Sequence, residues 1–95
     1  MINLSLGSAS ACESVEQDAI NAATEAGAVV VVAAGNSGAN LAASSFAPAS
    51  CDNVITVTAV RSDGTRASYA NYGPPVDIAA PGGPTGILST RNAGT

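Results

Sequence analysis

The chain has 95 residues, of which 46% are hydrophobic and only 11% charged. That excludes a solvated disordered chain and sizes the protein as one small domain or a piece of a larger one. Three basic against seven acidic residues give a net charge of −4, with no basic footprint for nucleic acid or an anionic membrane, and the absence of His excludes a Ser–His or Cys–His mechanism or a His-ligated zinc within these residues.

Met1 to Leu6 reads as a short strand, with Ile2, Leu4 and Leu6 alternating against Asn3 and Ser5. Gly7-Ser8-Ala9-Ser10 breaks it. A helix fits Glu13 to Ala26, with Glu13, Glu16 and Asp18 early and Gly27 just past the end. Val15, Ala19, Ala22, Ala23 and Ala26 would form its apolar stripe. Val29 to Ala34 is a continuous apolar run bounded by glycines, the pattern of a strand buried on both faces. Strand, helix and strand in this order make a βαβ unit with parallel strands.

Gly35 to Pro48 is small, polar and irregular. Val54 to Val60 is a further strand, Ser62-Asp63-Gly64 a turn, and Arg66 to Tyr72 a return strand. Val76 to Ala79 is a last strand, stopped by Pro81-Gly82-Gly83-Pro84. The fold class is α/β, an incomplete three-layer parallel sheet. The longest apolar run, Gly27 to Gly35, is far short of the roughly 20 residues of a membrane helix, and the N-terminus, with no basic region ahead of it, does not read as a signal peptide. Cys12 and Cys51 are too widely spaced for a CxxC site and are either one disulfide or two buried thiols.

Ligands of a parallel sheet collect beyond the carboxyl ends of its strands. Ser5-Leu6-Gly7-Ser8 and Gly35-Asn36-Ser37-Gly38 leave two such ends. The Asn36 amide there suits a developing oxyanion, although Gly35-Asn36 also reads as a plain turn. Ala34 to Gly38 lacks the Lys of a phosphate-binding loop and the three glycines of a dinucleotide site. No Ser lies in a G-x-S-x-G elbow or an S-x-x-K pair. Asp77, between Val76 and Ile78, is either exposed on a polar face or partnered by Arg or a cation.

The segments MINLSLG (Met1–Gly7), VVVVAAGN (Val29–Asn36), FAPASC (Phe46–Cys51), NVITV (Asn53–Val57), RASY (Arg66–Tyr69), NYG (Asn71–Gly73) and VDIAAPG (Val76–Gly82) stand in order along nearly the whole chain. Together they resemble the subtilisin-like serine endopeptidases, with the proteinase K-like and secreted bacterial members nearest. The resemblance implies a subtilisin-like fold and peptide-bond hydrolysis through a Ser acyl-enzyme in the parent protein. Asn36 matches the oxyanion donor of that family. Ser5, Leu6 and Gly7 match the segment that pairs with an extended peptide or protein substrate, and Ala33, Ala34 and Gly35 match one wall of the specificity pocket.

Asp77, with backbone carbonyls at Asp52 and Val54, matches a calcium site of many relatives. Secreted relatives carry Cys at positions like 12 and 51, which implies a Cys12–Cys51 disulfide and an extracellular location. The Asp, His and Ser of the family triad are all missing. The first two are expected upstream of Met1, and the Ser in a Gly-Thr-Ser-Met-Ala-like helix start after Thr95. Gly94-Thr95 is not that motif, and Leu88-Ser89-Thr90 matches the strand end before it. The chain is thus expected to be the middle portion of one catalytic domain, inactive alone and prone to self-association without its remaining parts. The alternative is a non-catalytic peptide- or calcium-binding module.

Overall fold

Four strands and one helix organise the computed structural model, which describes residues 1–93; Gly94-Thr95 lie outside the described residues. In chain order they are β1 (Ile2–Leu4), α1 (Ser14–Glu25), β2 (Val30–Ala33), β3 (Ile55–Arg61) and β4 (Ile78–Gly83). The strands form one sheet in the order β1-β2-β3-β4, and every neighbouring pair is parallel. Ile2 lies opposite Val30, Val31 opposite Ile55, and Val57 opposite Ile78. The expected βαβ unit is therefore present, and all carboxyl ends lie along one edge of the sheet.

The helix stops where Gly27 takes φ +95°. The Gly27 N–H donates to the Thr24 carbonyl and the Ala28 N–H to the Ala23 carbonyl. This paired C-terminal closure favours glycine because it needs a left-handed residue. The inward face differs from the expected stripe. Val15, Ala19, Ala22 and Ala26 point to solvent, whereas Ile20 is buried and Ala23 packs against the core. Polar docking sets this rotation. Gln17 donates its amide to the Asp52 carbonyl (3.0 Å) and accepts from the Asp52 N–H (2.7 Å), and Asn53 donates to Asn21 (2.9 Å). The Cys12–Cys51 disulfide, with Cα atoms 5.3 Å apart, ties the helix start to the same turn.

The core consists of Val30, Val32, Leu41 and Ala49, with Leu4, Ala23, Phe46, Val54 and Val76 packed against it. The valine run was expected to be covered on both faces, but only one face is. Val30 and Val32 are buried beneath the helix and the loop from β2 to β3, while Val31 and Ala33 are half-buried on the open face and Val29 is exposed.

Two other expectations change. Arg66 to Tyr72 is not a strand: it makes only two isolated bridges, Arg66 with Val60 and Tyr72 with Asn40. Arg66 instead donates to the Ala70 carbonyl (2.6 Å) and stacks over the Tyr72 ring (4.4 Å), curling the segment, while Ala67, Ala70 and Asn71 turn inward. The last strand begins two residues late and then runs through Pro81, with a register shift opposite Val60/Arg61. Proline is tolerated there because β4 is an edge strand, where a missing N–H leaves no ladder bond unmade. The Ser62-Asp63-Gly64 turn forms as expected. Its Asp63 carboxylate accepts from the Thr65 hydroxyl (2.6 Å) and N–H (3.0 Å), which hold it below its usual carboxylate range.

Candidate functional site

The strand tips converge on a cleft of about 300 Å³ lined by Ser5, Leu6, Gly7, Ala33, Gly35, Asn36, Ser37 and Phe46. Ser5 to Gly7 continue from β1 as an exposed segment outside any helix or strand. Among the described residues no main-chain hydrogen bond engages Leu6 or Gly7, and pairing resumes only at Ser8, which exchanges two bonds with Ala47 (2.9 and 3.0 Å). Free N–H and C=O groups on an exposed segment are what an incoming peptide strand needs.

Across the cleft, β2 ends at Ala33 and the chain turns at Gly35, which has φ +104°. Asn36 follows, exposed, and its side-chain amide has no protein partner among the described residues. It also borders a second cleft of about 220 Å³ on the β3 and β4 side, lined by Ala34, Val57 and Tyr69 among others. The cleft beside Ser5 to Gly7 therefore brings together Ser5, Leu6, Gly7, Ala33, Gly35 and Asn36 as expected. Ala34 is the exception, because it is buried and faces the second cleft.

Two residues of the site escaped the sequence reading. Phe46 forms the far wall of the first cleft. A Cβ on Gly7 would come within 2.5 Å of its ring and one on Gly35 within 2.8 Å, so both glycines are glycines in order to admit that ring. No local spacing marks it: Phe46, the sole Phe of the chain, follows both glycine-bearing loops in the sequence and meets them only in the fold. Asn71, fully buried, lies beneath residues 34–39 and is hydrogen-bonded to them. No titratable side chain lines the first cleft, so what it offers is shape, apolar contact and neutral hydrogen bonds.

The donors expected for calcium do not form an open cage. Asp77 is exposed, as one of its two alternatives had it, yet its carboxylate accepts from the Thr56 N–H (2.8 Å) while its own N–H donates to the Thr56 carbonyl (2.9 Å). The Asp52 carbonyl is engaged by Gln17, and Val54 packs against the core. The one cluster of metal-ligating residue types among the described residues, Cys12, Glu16 and Cys51, has both its sulfurs in the disulfide. Asp77 and Asp52 are thus already engaged within the protein.

Three comparisons place this geometry among known proteins. The family model described as the Subtilase family matches residues 1–95. The extracellular protease of Xanthomonas campestris pv. campestris is 50% identical over 95 residues, covering all of this chain and 16% of that protein. The extracellular basic protease of Dichelobacter nodosus is 45% identical over 94 residues, covering 99% of this chain and 15% of that protein. Among solved structures, a protease of Pseudoalteromonas arctica superposes with a TM-score of 0.82 at 46% identity, over 90% of this chain and 25% of that one. The chain thus spans about a sixth of the length of the curated relatives it matches.

Proposed function

The chain belongs to the subtilase family, and from that premise we propose that it supplies the oxyanion donor and the substrate-pairing edge of a serine endopeptidase. It would form the middle portion of one catalytic domain, in a protein secreted like its extracellular relatives. A disulfide is at home in that compartment.

In this reading an extended peptide lies along Ser5 to Gly7 as an added strand, with main-chain hydrogen bonds giving register. The side chain preceding the scissile bond enters the cleft between that segment and Ala33 and Gly35 and ends against Phe46. A cleft with no charged side chain in its lining favours an uncharged side chain there. When a Ser hydroxyl adds to the scissile carbonyl, negative charge develops on its oxygen, and Asn36 donates its amide to that charge. The donor costs no rearrangement because no internal bond has to break first. With no His in the chain, the base that activates the Ser lies outside these residues.

The observation that carries this reading is the exposed, unpartnered Asn36 amide at the mouth of the cleft. To test it, residues 1–95 are grafted in place of the matching stretch of the Xanthomonas protease, and peptide hydrolysis is followed. The graft is expected to be active. In subtilisin, itself a member of this family, such a donor is worth about 2.7–4 kcal/mol, so Asn36→Ala is expected to lower kcat about 10²–10³-fold with little change in KM. An inactive graft, or an Asn36→Ala graft with unchanged kcat, would overturn the reading.

A further inference from the structure

We infer that Asn71 is a positioning residue that fixes the loop presenting Asn36; this rests on the role given to Asn36 above. The two asparagines are opposites. Asn36 is exposed and its amide is unspent, whereas Asn71 has 0% of its surface exposed and its amide is almost fully engaged. Asn71 Nδ2 donates to the Ala34 carbonyl at 2.9 Å. Its Oδ1 accepts from the Ser37 N–H at 3.0 Å and from the Ala39 N–H at 2.9 Å. Its main-chain N–H donates to the Gly35 carbonyl at 3.0 Å. One residue thus grips the chain on both sides of Asn36, at 34 and 35 before it and at 37 and 39 after it.

The grip is anchored in the sheet, because the Asn71 carbonyl accepts from the Thr58 hydroxyl of β3 at 2.6 Å. Further main-chain bonds, Gly38 N–H to Tyr69 and Tyr72 N–H to Ala39, join the same two segments. These do not need the Asn71 side chain. What that side chain alone provides is a partner for the buried Ala34 carbonyl and the part-buried Ser37 and Ala39 N–H groups, without which the loop would be free to rotate. A buried amide with these bonds is stable, and one deprived of them would not stay in place. Gly35 fits the same design: a Cβ there would run into Asn71 Nδ2.

An oxyanion donor works only when it is held at the position the oxyanion will occupy, so the loss on freeing the loop falls on the transition state. The test is a double-mutant cycle in the active graft. Asn71→Ala is expected to lower kcat about 10–100-fold, as a displacement of about 1 Å does, with KM changing less than about 3-fold. Asn36→Ala/Asn71→Ala should stay within about 3-fold of Asn36→Ala alone, since the loop then has no donor left to aim. Should the Ala variant fail to accumulate, the same cycle is run with the isosteric Asn71→Asp, whose carboxylate keeps the acceptor for Ser37 and Ala39 but cannot donate to Ala34. Unchanged kcat, a loss confined to KM, or losses that multiply with Asn36→Ala would each overturn the inference. An unchanged kcat in Asn36→Ala alone would instead count against the role of Asn36, so the two failures are distinguishable.

Discussion

Gly35 meets two demands at once. Its φ of +104° is costly for any residue with a Cβ, and that Cβ would collide with Phe46 and Asn71. Gly27 offers a control, because its φ of +95° is similar but nothing lies within 4 Å of where its Cβ would sit. Gly27→Ala is expected to cost about 1 kcal/mol from backbone strain alone. Gly35→Ala should exceed it by about 1–3 kcal/mol from overpacking, measured by thermal unfolding of the inhibitor-blocked graft; equal costs would mean that Phe46 and Asn71 yield freely. Site residues that act through short sequence neighbourhoods were legible in the sequence: glycines beside a strand tip and an Asn following them mark where a ligand can approach. Phe46 and Asn71 were not, because their roles come from contacts with residues 7 and 35 and with residues 34–39, and no local spacing encodes those contacts.

At the scale of elements, the helix is held to the sheet less by apolar burial than by its links to the turn at 51–53. Ile20 is its only buried residue, while Gln17, Asn21 and the disulfide all reach that turn. Closing a loop across a sequence separation of 39 is worth about 3–5 kcal/mol in the chain-entropy model. Cys12→Ser/Cys51→Ser in the graft is therefore expected to lower the unfolding midpoint markedly, and an unchanged midpoint would show that the polar docking suffices. The parallel sheet and the helix limits were readable from β-branched runs and glycine punctuation. The helix rotation was not, because alanines at helical spacing mimic a buried stripe, whereas glutamine and asparagine bonds to a distant turn decide which face turns inward. Asp77 makes the same point in a strand. It is exposed, one of the two alternatives left open by the sequence, yet its carboxylate accepts from the Thr56 N–H, a partner that no strand pattern announces.

The whole molecule is one layer of helix and loop on one face of a four-stranded parallel sheet. Its other face carries half-buried Val31 and Ala33 and exposed Ile55 and Ile78, and its edges are open among the described residues. Parallel sheets are ordinarily covered on both faces, which is the physical ground for the expected self-association. The proposed chemistry is similarly one-sided: a neutral cleft, an edge to pair with a peptide and an amide to meet an oxyanion, with no His to act as base. The most direct measurement is hydrolysis of casein and a fluorogenic peptide by purified 1–95, beside its Asn36→Ala variant and a serine-protease inhibitor control. The expected result is no turnover above background from either protein. Inhibitor-sensitive hydrolysis that disappears in Asn36→Ala would contradict the account, because a nucleophile and its base would then have to lie within these 95 residues.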